Sequence, residues 1–162
     1  MGRDTVKWIL DEQTDRLRLR PGPPVAATLV DPFDSYVEMF WLPILGPSAT
    51  WMLRRFHMGL RSQPDGFAIG LAELGQQLGL GTSVAANSST VRTLDRLIGF
   101  NVVTRVQDNR GSYVEVPSGI RMLSDRQVAG LTPMLQAAHP TRIAETTRKR
   151  LTLLYKGTSG NS

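Results

Sequence analysis

The chain of 162 residues contains no cysteine. This single absence excludes disulfide bonds, thiolate metal ligands and cysteine nucleophiles. Because disulfides are typical of oxidising compartments, the composition favours a cytoplasmic protein. Hydrophobic residues make up 41% of the chain and charged residues 20%, so we expect a globular fold rather than a disordered chain.

Long apolar runs are lacking as well. The most hydrophobic stretch, residues 36–53, is interrupted by Glu38, Pro43 and Gly46. It therefore predicts buried helix ends and a turn rather than a membrane span. The residues after Met1 do not lead into the uninterrupted apolar segment of a signal peptide. We expect no membrane partner and no export signal.

Residues that carry catalysis or hold cofactors are scarce. The two histidines, His57 and His139, are far apart in the chain, and no Gly-Lys-Ser/Thr phosphate loop is present. Asp31 and Asp34 are close in sequence, but they are predicted to cap turns rather than to act as an acid–base pair. We therefore predict no enzymatic activity, no metal site and no cofactor.

Positive charge is in excess, with 19 basic against 14 acidic residues and a net charge of +5. A basic balance favours an anionic partner, nucleic acid above all. Only three of the basic residues are lysines. The arginine bias is typical of a GC-rich bacterial genome, and it also suits phosphate recognition, because a guanidinium group bonds bidentately.

The first thirty residues predict an N-terminal arm. Residues 7–10 and 16–20 flank a polar stretch and can pair as a hairpin, and in the second run leucines alternate with arginines. That alternation predicts a strand with one apolar and one basic face. The proline-rich residues 21–24 end the regular structure. Such an arm can contact DNA, join a dimer or pack on its own domain.

Two helices are predicted next. Asp34 or Ser35 caps a helix that Pro43 kinks or stops before about Leu45, and Ser48 caps another that ends near residue 61. In the second helix we expect Trp51, Met52, Phe56 and Leu60 to be buried and Arg54, Arg55 and Arg61 to be more exposed.

A shorter segment follows with a helical pattern. Residues 63–66 predict a turn and residues 67–69 a small strand. Residues 71–80 then place Leu71, Leu74 and Leu78 on one helical face. Glycines 79 and 81 bound the end of this helix and can adopt left-handed conformations there.

The next helix carries the candidate chemistry. Asn87 or Ser88 is predicted to cap it, and it runs from about Ser89 to Ile98 with its apolar residues turned inward. Arginine can reach guanine edges or phosphates, threonine can contact a thymine methyl group, and a helix N-terminus favours a phosphate. The residues expected on the outer face are Thr90, Arg92, Thr93, Asp95 and Arg96.

A hairpin is predicted directly after this helix. Residues 102–107 and 112–116 have strand character, and the turn between them ends in Gly111, which can take a positive φ. Arg110 at the tip is placed to reach a minor groove or a phosphate.

The order of helix, small strand, helix, loop, helix and two-stranded hairpin resembles the winged helix-turn-helix regulators, broadly of the MarR-like and GntR-like types. The matching residues are 71–80, 89–100 and the hairpin, and the resemblance extends over residues 47–117 when the preceding helix is included. Residues 31–55 are also similar to uncharacterised actinobacterial proteins. The expected fold class is α+β, mostly helical, with a winged-helix domain over residues 31–120.

The resemblance implies binding of double-stranded DNA and a role in transcription regulation. Two features depart from the pattern: the loop over residues 81–87 is long, and Asp95 lies between the helix arginines. The alternative is a protein-interaction module that docks through the aromatic-rich residues 36–56. The implied DNA-binding residues are Ser88, Ser89, Thr90, Arg92, Thr93, Arg96, Arg105 and Arg110.

Residues 121–156 predict C-terminal helices. Ser124 begins a capping box for a helix to about residue 138, which Pro133 either bends or breaks early. His139-Pro140 breaks the chain, and Thr141 caps a last helix to Tyr155. These helices either join a homodimer, as is common for winged-helix repressors, or pack back on the monomer. Residues 157–162 are predicted to be a flexible tail.

Overall fold

The computed structural model describes residues 16–23 and 29–158, and for residues 140–147 and 155–158 it describes the backbone alone. The chain has an α+β architecture and divides into two compact units with a boundary between Met122 and Leu123. One half of the predicted N-terminal hairpin, residues 7–10, lies outside the described residues.

The first unit contains most of the regular structure. Its elements in chain order are β1 (Arg16–Pro21), β2 (Leu29–Val30), a π-helical segment (Val37–Trp41), α1 (Leu42–Leu45), α2 (Pro47–Ser62), β3 (Phe67–Gly70), α3 (Leu71–Gln77), α4 (Ser89–Gly99), β4 (Thr104–Asp108), β5 (Gly111–Val116) and β6 (Ile120–Arg121).

The main sheet has four strands within the described residues, in the order β3-β1-β5-β4. β1 is antiparallel to β3 and parallel to β5, and Leu19 is the residue that pairs with both, opposite Phe67 and Val114. From the sequence, the hairpin of β4 and β5 is predicted to be a separate two-stranded ribbon. In the structure β5 also pairs with β1, so the hairpin is part of the four-stranded sheet. β2 and β6 form a separate antiparallel pair.

The alternation of leucine and arginine in β1 is confirmed. Leu17 and Leu19 are buried, whereas Arg16 is exposed and Arg18 and Arg20 are partly exposed. An interior strand hydrogen-bonds to a neighbour on each side, and here it also contacts α2. The segment assigned from sequence to an arm thus forms an interior strand of the first unit's sheet.

The aromatic-rich segment forms core. Tyr36, Phe40, Trp41 and Phe56 are all buried. The predicted helix through about Leu45 is present as one continuous helical run over residues 35–45. Pro43 lies inside this run, directly after the π-helical segment, at a position where proline removes one backbone donor.

Three expectations for α2 are wrong. Trp51 is 55% exposed rather than buried, and Arg54 is only 5% exposed. Arg54 is buried because it fixes the preceding segment to α2: its Nε donates to the carbonyl of Pro32 at 2.9 Å and its Nη1 lies 2.9 Å from Glu38 Oε1. Ser48 does not cap the helix, because α2 begins at Pro47, a position that proline favours.

Helix α3 is shorter than predicted, because it ends at Gln77 rather than near residue 80. The left-handed conformations expected at Gly79 and Gly81 are confirmed, with φ of 69° and 86°. A Cβ on Gly75 would lie 2.3 Å from the Gly81 carbonyl oxygen and 2.5 Å from Thr90 Oγ1, too close to either atom. Glycine at this position therefore allows α3, the loop and α4 to pack closely.

The second unit contains α5 (Asp125–Ala129) and α6 (Pro133–Thr158). The predicted capping box is confirmed, since Ser124 Oγ accepts from the Gln127 amide and Gln127 Oε1 accepts from the Ser124 amide. The helix ends early because Gly130 follows it, and the Gln136 side chain donates to the carbonyls of Ala129 and Leu131 at 3.0 and 2.8 Å.

The predicted break at His139-Pro140 is wrong. Helix α6 starts at Pro133, where proline suits the first turn, and continues through residue 140. A proline inside a helix removes one backbone hydrogen bond, and the many remaining bonds of a 26-residue helix carry it through that site. Gly157 and Thr158 of the predicted tail are helical, and the rest of the tail lies outside the described residues.

Candidate nucleic-acid interface

Helix α4 begins as the sequence predicts. Ser88 is the N-cap residue, and its Oγ accepts a hydrogen bond from the Val91 amide at 3.3 Å. Val91, Leu94 and Leu97 are completely buried, and helix α4 packs on both α2 and α3. These contacts fix the helix and determine which of its side chains reach solvent.

The buried side of α4 is wider than the predicted apolar stripe. Thr90 is 1% exposed and Thr93 is 8% exposed, so the expectation that both lie on the outer face is wrong. The close approach of Gly75 covers Thr90, and the Thr93 hydroxyl donates to the carbonyl of Ser89 at 2.7 Å. Ser88 is also buried as the cap, so these three side chains contribute to folding rather than to an exposed surface.

The exposed side chains of α4 are those of Ser89, Arg92 and Arg96, which lie on one face at spacings of three and four residues. Arg96 Nη1 donates to the carbonyl of Leu45 at 3.2 Å. Asp95, which the sequence places between the two arginines, is half-buried. The structure therefore brings together three of the predicted site residues.

A cleft of about 370 Å³ opens along this face of α4, toward the start of α2. Arg92 and Arg96 form one wall, and the chain from Leu45 to Ala49 forms the other. The sequence contains no signal for this cleft, because it depends on how α2 and α4 pack.

The far end of α4 is held by Arg121. Its Nη2 donates to the carbonyl of Phe100 at 2.9 Å, and its Nη1 donates to that of Asn101 at 3.4 Å. A cation at a helix C-terminus interacts favourably with the helix dipole. The Arg121 carbonyl in turn accepts from Trp41 Nε1 at 2.8 Å, so the core and β6 together position α4.

The hairpin turn is formed as predicted, with Gly111 at a φ of 110° and Arg110 exposed at the tip. Asp108 Oδ1 accepts from the Arg110 amide at 2.9 Å, which closes the turn. Arg18 of β1 reaches the same turn: its Nη1 donates to the Arg110 carbonyl at 3.0 Å, and its Nη2 lies 3.0 Å from Asp108 Oδ2.

Arg20 completes this cluster, with its Nη1 at 3.1 Å from Asp108 Oδ2 and its guanidinium 4.6 Å from the centre of the Tyr113 ring. The hydrogen bond from Arg18 lowers the pKa of Asp108 most, and the Arg110 amide lowers it further. We call Arg18, Arg20, Asp108 and Tyr113 the turn brace. Sequence reasoning identified the basic face of β1 but not its target, because the parallel pairing of β1 with β5 is a long-range contact.

Arg105 lies apart from the turn brace. It is paired with Val114 across the two hairpin strands, whereas Tyr113 is paired with Val106. Because paired residues share a face of a sheet and successive residues alternate, Arg105 is on the face of Val114, opposite to the brace. It is exposed there, at the outer strand of the sheet.

Comparisons with protein-family models, with curated proteins and with solved structures find no significant match. Among the helices of the described residues, none combines the length and the apolar character needed to cross a membrane.

Proposed function

We propose that this protein binds double-stranded DNA as a winged helix-turn-helix. Helix α4 would enter the major groove with Ser89, Arg92 and Arg96, and the hairpin would act as the wing with Arg110 at its tip. The observation that carries the proposal is the exposed face of α4, where two arginines stand on a helix that is fixed by its buried side.

The order of elements supports this proposal. Helices α2, α3 and α4 are followed by the hairpin, and β3 lies between the first two helices, as in the winged-helix arrangement expected from the sequence. β1 adds an interior strand to that arrangement. The corrected contact set is smaller than the one expected, because Ser88, Thr90 and Thr93 are buried. Arg105 is exposed on the hairpin and stays in the set.

Transcription regulation in a bacterial cytoplasm is the role we assign to such binding. A homodimer on paired half-sites would raise both affinity and specificity. Exposed apolar side chains on α6 offer contacts for that dimer, among them Met134, Leu151 and Leu153.

Docking on another protein through residues 36–56 has less support. Four of the aromatic side chains in that region are buried in the core, and only Trp51 and Met39 are exposed large apolar side chains there. Two separated side chains offer little of the contiguous apolar area that a docking surface requires.

The test is a fluorescence-anisotropy titration against random-sequence duplex DNA at low and near-physiological salt. Binding through several arginines must weaken steeply as salt rises, because released counterions drive it. The triple variant R92Q/R96Q/R110Q should lose at least about tenfold in affinity and should show a shallower salt dependence, with roughly one unit of slope lost per phosphate contact.

The matched control is R126Q/R148Q/K149Q, which removes the same charge from three exposed residues of the second unit. It should retain most of the affinity. An equal loss in both triple variants would indicate attraction by net charge alone and would contradict the site. No binding even at low salt would contradict the proposed function and favour protein docking.

A further inference from the structure

The described residues that line the cleft between α2 and α4 are positively charged or neutral. Among the ten described residues that line it there is no carboxylate, whereas two are arginines. Three hydroxyl-bearing residues also line it, beside apolar residues: Ser48, Ser89 and Thr93, with Leu45, Pro47 and Leu80 among the apolar ones. The Thr93 hydroxyl already donates to the Ser89 carbonyl. A concave surface with a few convergent donors and an apolar remainder is the usual form of a small-ligand site.

The two arginines form no ion pair with the described residues. Arg92 and Arg96 are four residues apart on one face of α4, a spacing at which like charges repel. Within the described part of the chain, no carboxylate lies within ion-pair distance of either guanidinium, and the hydrogen bond from Arg96 goes to a neutral carbonyl. An anion between them would remove this repulsion.

The Arg96 guanidinium is also held in place before any ligand arrives. The Leu45 carbonyl accepts from its Nη1, and a Cβ on Gly46 would lie 3.6 Å from the same nitrogen. The bend at Gly46, where φ is 83°, is fixed by the Thr50 amide and hydroxyl, which both donate to the Gly46 carbonyl. A donor that is already ordered binds its ligand at a lower entropic cost.

We propose that this cleft binds a phosphate group of an organic ligand, with the guanidinium groups of Arg92 and Arg96 as its main donors. Arginine pairs suit phosphate because each fork can donate two hydrogen bonds to its oxygens. The serine hydroxyls add donors, and the apolar lining receives the attached sugar or carbon skeleton. The cleft volume of about 370 Å³ exceeds what a phosphate group alone fills.

The phosphate can come from two sources, a phosphodiester of the DNA backbone or a phosphomonoester of a small molecule. The first source rests on the proposed function, and the second does not. A small phosphate ester in the cleft would occupy the arginines of α4 and would therefore compete with DNA.

The experiment follows the backbone amides and the arginine Nε–Hε groups of the full chain by nuclear magnetic resonance. The probes are inorganic phosphate, ribose 5-phosphate and a short duplex DNA, with sodium chloride and sodium acetate as controls at equal ionic strength. We expect saturable shifts at Arg92, Arg96, Gly46 and Ser89, with dissociation constants on the order of 1 mM for the free phosphates.

Arg96→Gln and Arg92→Gln should each weaken phosphate binding at least about fivefold. The second variant removes no hydrogen bond found in the described residues, which keeps the test informative if the first disturbs the fold. Arg126→Gln, an exposed charge in the second unit, should leave the shifts unchanged. The proposal would be overturned if the phosphate-induced shifts equal those caused by sodium chloride or sodium acetate, or if they persist in both cleft variants.

The two sources give different outcomes. Saturation by ribose 5-phosphate without any DNA binding supports the small-ligand source and contradicts the proposed function. Shifts at Gly46 and Arg96 with both probes, and displacement of DNA by the ester, support the shared site. DNA binding that leaves these signals unmoved, together with no phosphate response, overturns the cleft assignment and also α4 as the contact helix, while DNA binding by another surface of the protein stands.

Discussion

The hairpin turn and the outer face of α4 both carry arginines, but the protein treats these charges differently. At the turn, Arg18 and Arg20 converge on Asp108 at 3.0 and 3.1 Å. On α4, Arg92 and Arg96 line a cleft that contains no carboxylate. Arginines that are already paired hold a structure together, whereas arginines without a counter-ion are available to an external anion.

His57 extends this comparison to a buried group, because little solvent reaches it to support a charge. Burial lowers its pKa from 6.5 to about 4, with a smaller opposing effect of Asp31. The unfolded chain therefore takes up a proton between pH 6.5 and 4 that the folded chain does not. Stability is unaffected by His57 above this window and falls by up to about 3 kcal/mol as the pH is lowered through it.

Urea unfolding of the natural chain and of His57→Gln at pH 7 and pH 4.5 measures this effect. The natural chain should lose more stability than the variant between the two pH values. The readout is the pH dependence rather than the stability at one pH, so a general cost of the substitution does not affect it. Parallel pH dependence of the two proteins would refute the buried neutral state.

Gly75→Ala tests the close packing of α3, the following loop and α4, which holds α4 in place. The new methyl group would meet the Gly81 carbonyl and Thr90 Oγ1, and we expect a loss of about 2 kcal/mol from overpacking. Gly99→Ala is the matched control, because no atom lies within 4 Å of its added Cβ. Thermal unfolding should separate the two variants, and equal stability would contradict the close approach of α3 and α4.

The smallest expected effect concerns the turn brace. If Arg18 acts by positioning Arg110, then Arg18→Gln should lower DNA affinity by roughly threefold and speed amide exchange at Asn109 and Arg110. In an R110Q background the same substitution should have no further effect on affinity, because coupled residues are not additive. An unchanged loss in that background would instead assign Arg18 to direct contact with DNA.

Features that depend on local chemistry were predictable from the sequence. The Ser88 cap, the Ser124 capping box and the positive φ at Gly111 are confirmed, since each is set by residues a few positions apart. The basic and apolar faces of β1 were predictable for the same reason.

Features that depend on distant partners were not predictable. Thr90 and Arg54 are buried because other segments cover them, and a helical repeat does not reveal which segment that is. The turn brace requires residues about 90 positions apart to meet, and the cleft requires a particular packing of α2 on α4. The prediction that Thr90 and Thr93 are exposed on α4 is wrong for this reason.

Because β1 lies between β3 and β5, a truncation that removes β1 divides the main sheet. A fragment beginning at residue 31 retains the whole helical order of the first unit but has lost the strand that joins β3 to the hairpin. The backbone donors and acceptors of β3 and β5 that pair with β1 would then be unpaired. Exposed strand edges of this kind pair with other molecules. Such a fragment is expected to aggregate, which makes β1 (Arg16–Pro21) part of the minimal folding unit.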